Sequence, residues 1–142
     1  MIDTRGSYEF FDHAADIGIR VEAPSCGSLF ATAGRAVMEW IGRPPQSDEL
    51  RRRDLQLGGE DLEELMVRWL QELIYEFQHR HSYNERAENL NIAAGSLTAT
   101  LVGRVWDESC YGNYREVKAV TYHHLKVACE EGLWRASIIL DV

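Results

Sequence analysis

Leu62, Leu65, Met66, Trp69, Leu70, Leu73, Ile74 and Phe77 recur with a period of about 3.6 and form one unbroken apolar stripe. Such a stripe survives in water only when covered, so the rest of the chain must supply a surface to pack on it. Glu60, Asp61, Glu63 and Glu64 crowd its first turn, where the helix dipole favours negative charge. A second helix is predicted after Ser25, whose side-chain oxygen suits an N-cap. Leu29, Ala33, Ala36, Val37, Trp40 and Ile41 follow at helical spacing, and Gly42 with Pro44 ends it. The remaining apolar runs read as strands over 8–13, 17–23, 49–57, 86–94, 97–106, 115–129 and 133–141. The order β-β-α-β-α-β-β-β-β lacks the regular alternation of a doubly wound sheet. It predicts an α+β fold, two helices packed on a mostly antiparallel β-sheet, with a weak strand-helix-strand echo around each helix.

No low-complexity linker splits the 142 residues, so they read as a single domain, residues 1–142. A chain of this size can bury a core of its own. The net charge of −8 argues against stable direct binding to nucleic acid, because phosphate neutralisation needs a surplus of Lys and Arg. Cys26, Cys110 and Cys129 are odd in number and match no metal or redox spacing, so they are expected as free thiols. The first residues, with Asp3 and Arg5, hold no apolar signal segment, and no run reaches the length of a membrane span. A cytoplasmic protein is expected.

The run Trp134-Arg135-Ala136-Ser137-Ile138-Ile139-Leu140 stays apolar almost to the last residue. It predicts a strand ordered to its tip, with Asp141 and the terminal carboxylate there. Asp16 opens another strand-like run, Ile17-Gly18-Ile19-Arg20-Val21. If the two strand ends meet, two or three carboxyl groups converge. They then need a proton or a hard cation between them, Ca²⁺ or Mg²⁺ being the natural occupants.

Other candidates are weaker. His13 either orients a neighbouring carboxylate or titrates near neutral pH, or it is a hydrogen-bonded strand histidine. His123-His124 and His79-Arg80-His81 are expected to point their side chains apart, so neither pair makes a ligand set. Arg51-Arg52-Arg53 splits between two strand faces and reads as a solvated edge. No Ser-His-Asp or Cys-His arrangement, P-loop or dinucleotide fingerprint is legible.

Three blocks carry a resemblance. Asp12-His13-Ala14-Ala15-Asp16-Ile17-Gly18-Ile19 resembles the signature Asp-His-Thr-Ala-Asp-(Ile/Val)-Gly of the archease family. Glu116-Val117-Lys118-Ala119-Val120-Thr121-Tyr122-His123 resembles its second signature, and Trp134 to Val142 resembles its C-terminal strand. The helix opening at Asp61-Leu62-Glu63-Glu64-Leu65 also fits, so the likeness runs from about residue 8 to the end.

The resemblance implies an archease-like fold with duplicated strand-helix-strand units. It also implies an accessory protein rather than an enzyme. Archeases assist the GTP-dependent RNA ligase that joins tRNA halves and repairs cleaved RNA. That ligase carries GMP on a histidine and activates an RNA 3′-phosphate. Archease promotes the guanylylation step and so permits multiple turnover. The expected partner is therefore the ligase, with tRNA or cleaved RNA reached only through it, and no membrane. Carried over residue by residue, the family's divalent cation would be held by Asp16, Asp141 and the backbone carbonyl of Val142. The cation is Ca²⁺, with Mg²⁺ or Mn²⁺ as alternatives. Lys118 matches a family residue implicated in activity, where an ammonium could meet a phosphate or a partner carboxylate. Asp12 and His13 flank the site as further candidates. Ala14 departs from the family's usual Thr, and if that hydroxyl tunes the metal's surroundings its loss lowers affinity. Two rival functions remain open on the residues alone. One is a small metal-dependent hydrolase or nuclease using the same carboxylates, the other a chaperone-like binding module.

Overall fold

In the computed structural model, which describes residues 5–142, two α-helices and seven strands follow one another in the predicted order. They are β1 (Ser7–His13), β2 (Asp16–Ala23), α1 (Cys26–Ile41), β3 (Leu50–Gly58), α2 (Leu62–Arg80), β4 (Ser82–Ala93), β5 (Ser96–Val105), β6 (Ala119–Glu130) and β7 (Leu133–Asp141). A short 3₁₀ turn at Glu108–Cys110 lies between β5 and β6. Asp3 lies outside the described residues.

The strands divide into two antiparallel sheets, a partition that local periodicity does not carry. One has the order β1-β2-β7-β6 and the other β3-β5-β4. The helices join them. Helix α1 lies on β2 and on β4, and α2 lies on β6 and on β4. The connection β3-α2-β4 returns to its own sheet with β5 between, whereas β2-α1-β3 crosses from one sheet to the other.

Each element forms for a local reason. Ser25 caps α1 by accepting a bond from Ser28 N, and Asp61 caps α2 by accepting from Glu64 N. The α2 stripe is buried from Leu65 to Phe77, with Trp69 donating its indole N–H to Phe30 O at 2.8 Å. On β2, Ile19, Val21 and Ala23 are buried while Arg20 and Glu22 face water. On β7, Ala136, Ile138 and Leu140 point into the same core. One cluster of buried side chains thus draws on both helices and both sheets. Each large apolar side chain in it contributes roughly 1.5–3 kcal/mol of transfer free energy.

Two strand ends differ from expectation. β6 begins at Ala119 rather than near residue 115. Upstream, residues 115 and 117 are bonded to the helices: Arg115 N donates to Ile41 O at 2.7 Å and Gln78 Nε2 to Val117 O at 3.0 Å. β4 begins four residues before the expected 86, at Ser82, because Tyr83 is buried and its hydroxyl donates to the end of α1.

The arginine run lies on β3, an edge strand of its sheet, as expected. All three guanidinium groups have partners within the fold. Arg53 bonds Glu72 and Glu76, Arg52 bonds Glu88, and Arg51 donates to Arg80 O.

Candidate functional site

The pairing of β2 with β7 decides the geometry. Ile17 is opposite Leu140 and Gly18 opposite Ile139. Extending that register by one residue brings Asp16, the first residue of β2, opposite Asp141, the last of β7. Cross-strand partners share a face of a sheet. Leu140 and Ile138 point into the core, so alternation sends Asp16, Gly18, Ile139 and Asp141 to the outer face. Asp16 is half-buried and Asp141 exposed. Val142 is half-buried against the core.

The flanking candidates separate. His13 is paired with Asp16 across the β1–β2 hairpin and shares its face, with Nδ1 3.9 Å from Asp16 Oδ2. That Nδ1 atom is buried and has no hydrogen-bond partner. Asp12 pairs with Ile17, one residue out of phase, and so points to the other side of the sheet. Ala14 holds the hairpin turn at φ 52°, a left-handed conformation that a β-branched side chain resists. Lys118 lies on the far side of Asp141. Its backbone N–H donates to Asp141 O at 2.8 Å and its side chain is exposed. Asp16, Asp141 and Lys118 thus stand in a row across neighbouring chain segments at one end of the four-stranded sheet.

The histidines correct a sequence expectation. His79 stacks on Tyr75 and His81 on Trp106, so that pair is apart as expected. His123 and His124 are not: their ring centroids are 4.0 Å from each other. Alternation fails because β6 bulges. Thr121 pairs with Ile139 and Lys126 with Ser137, which leaves residues 122–125 opposite Ile138 alone. His124 itself adopts φ 53°. The bulge also brings both rings to His13, at centroid distances of 5.4 and 5.8 Å. No glycine or proline marks this bulge in the sequence, so periodicity had no signal for it.

A surface cavity of about 980 Å³ lies among the connections α1–β3 and β5–β6 and contains none of the predicted site residues. Trp40, Tyr114 and Arg115 line it, with Arg115 stacked over the Trp40 ring.

Comparison with known proteins bears on this arrangement. Residues 8–142 match the Archease protein family (MTH1598/TM1083). Protein archease of Saccharolobus islandicus (strain Y.G.57.14) is 33% identical over 140 residues, covering 96% of this chain and 99% of that protein. Protein archease of Methanosarcina barkeri is 31% identical over 139 residues, 95% of each chain. The solution structure of Methanobacterium thermoautotrophicum protein 1598 superposes with a TM-score of 0.71 at 32% identity, covering 95% of this chain and 98% of that one. A Thermotoga maritima archease, described as a possible chaperone, has the same fold, with a TM-score of 0.66 at 18% identity over 93% and 94% of the two chains. With a match over nearly its whole length and a common fold, this chain belongs to the archease family.

Proposed function

We propose that this archease activates a GTP-dependent RNA ligase of tRNA splicing and RNA repair, promoting its guanylylation and so its multiple turnover. The observation that carries the reading is the β2–β7 register, which sets Asp16 and Asp141 side by side on one face, while the Lys118 backbone is bonded to Asp141 at the same sheet end. Two carboxylates and a neighbouring backbone carbonyl are hard oxygen donors, the set a Ca²⁺ ion takes, with Mg²⁺ and Mn²⁺ as alternatives. Asp16, Asp141 and the Val142 carbonyl would hold the ion. When bound, it supplies a positive charge for nucleotide phosphate or ligase carboxylates at an otherwise acidic sheet end.

The chain's own residues do the rest. The Phe11 ring lies over Gly18, two residues along the strand from Asp16. Lys118 is exposed beside Asp141 and presents an ammonium to a phosphate or carboxylate of the partner. The protein acts as an accessory factor and not as an enzyme. It meets tRNA or cleaved RNA through the ligase, in keeping with its net charge of −8 and with arginines already paired inside the fold. The cytoplasm is the proposed location. Among the described residues, no helix is long and apolar enough to cross a membrane.

The test is ligation of RNA bearing 3′-phosphate and 5′-hydroxyl ends by ligase from the same source, with GTP and divalent metal, following ligase-GMP formation. Adding this protein should raise product beyond one per ligase. Asp16→Ala and Asp141→Ala should remove that stimulation, and Lys118→Ala should reduce it. Full stimulation by both aspartate variants would overturn the cation mechanism. Cleavage of RNA or nucleotide by this protein alone, lost with EDTA, would favour a hydrolase. Broad suppression of aggregation indifferent to both aspartates would favour a chaperone.

A further inference from the structure

We propose that His13, His123 and His124 form a binding site for Zn²⁺, on the outer face of the four-stranded sheet and separate from the Asp16–Asp141 oxygen pair. One ring nitrogen of each residue lies within 4.8 Å of one nitrogen of the other two. The sheet by itself would not bring them together. His13 is on β1 and the other two are on β6, and these are the two edge strands of the order β1-β2-β7-β6. Three strand spacings, roughly 14 Å, separate such edges. The bulge at residues 122–125 carries His123 and His124 back across the outer face until they reach His13. Ile139, which points to that outer face, is buried. The left-handed backbone at His124 is an uncommon conformation for a residue with a side chain, and such features cluster at functional sites.

The donor chemistry separates this cluster from its neighbour. Imidazole nitrogens suit Zn²⁺ and other late transition metals, whereas Ca²⁺ and Mg²⁺ take oxygen. Tetrahedral Zn²⁺ with Zn–N bonds near 2.0–2.1 Å needs its nitrogens about 3.3 Å apart. His123 and His124 are exposed and can turn to close that gap. Three protein ligands leave a fourth position, facing solvent, for water or a side chain of a partner. The His13 Nδ1 atom is buried without a hydrogen-bond partner, 3.9 Å from Asp16 Oδ2. The inference stands on the histidine geometry alone and does not rest on the ligase reading.

The experiment titrates ZnCl₂ into the EDTA-stripped full chain by calorimetry, with Co²⁺ absorption as a probe of tetrahedral coordination. One equivalent of Zn²⁺ is expected to bind, unaffected by millimolar Ca²⁺. The double variant His123→Gln/His124→Gln should weaken it well beyond about 100-fold and abolish the Co²⁺ spectrum, outside the roughly 10–100-fold that loss of an orienting group costs. Both side chains are exposed, so the fold should stand, and circular dichroism checks it. If the double variant failed to fold, the single variants His123→Gln and His124→Gln, each expected to weaken binding at least tenfold, decide instead. Asp141→Asn should leave Zn²⁺ affinity unchanged. Absence of saturable binding, binding indifferent to the histidine variants, or binding lost in Asp141→Asn would each overturn the proposal.

Discussion

Gly18 sits two residues beyond Asp16 on the same face, and the space its side chain would fill is taken by the Phe11 ring, 2.1 Å from an added Cβ. Arg20 stacks its guanidinium 4.0 Å above that ring. The hairpin that carries Asp16 is thus packed on its outer side as well as against the core. On the far side of the core, Tyr83 donates its hydroxyl toward Met38 O at 3.0 Å and Gly42 O at 2.6 Å, closing the end of α1. Burial, helped by the nearby Glu39 carboxylate, pushes its phenol well above the ordinary value of 10.0. An unfolded tyrosine ionises near 10, so above that pH the folded state keeps a proton the unfolded chain has lost. The contribution of Tyr83 is therefore full below pH 10 and falls as pH rises past it. Tyr83→Phe should cost about 1–2 kcal/mol at pH 7 in urea unfolding, by leaving the Gly42 carbonyl short of a donor. It should also flatten the decline in melting temperature between pH 9 and 11, which arises from this phenol together with the similarly raised Tyr114.

Among the elements, α2 is the one whose ends and face are most fully specified. Asp61 accepts from Glu64 N at 2.8 Å, and Glu64 in turn accepts from Glu60 N at 3.1 Å. Glu63 reaches from the same turn to accept from Val127 N, just past the β6 bulge. Asp61→Ala should cost about 1 kcal/mol in chemical denaturation with no change in the denaturant slope, because the cap acts on one helix end and not on the denatured chain. At the opposite end Glu76, buried, accepts from Arg53 at 2.7 Å and pairs with Arg80 at 3.0 Å, tying α2 to β3. β6 is less regular. Its bulge replaces four positions of pairing with a loop that covers the outer face of the sheet, and both histidine rings of that loop depend on it.

At the scale of the molecule, the chain's first and last strand pairs share one sheet, and Asp16 meets Asp141 because β2 and β7 are neighbours in it. A cation held there bridges the two ends of the sequence and should stabilise the folded state alone. At about 100 times its dissociation constant a ligand adds roughly 2.7 kcal/mol, or several degrees in melting temperature for a chain of this size. Titrating Ca²⁺ into the metal-free protein should therefore raise its melting temperature, and Asp141→Asn should remove the rise. An equal rise in the variant would place the ion elsewhere. The order of the nine elements, the cap at Ser25 and the α2 stripe were all legible in the sequence, because they are set by contacts within a turn or a strand. Family membership was legible too, from three short blocks. The division into two sheets, the alignment of Asp16 with Asp141 and the meeting of His13 with His123 and His124 were decided only by the tertiary structure. Strand neighbours and bulges depend on which distant segment a strand pairs with, and a period-two pattern says which face a residue takes but not who stands beside it.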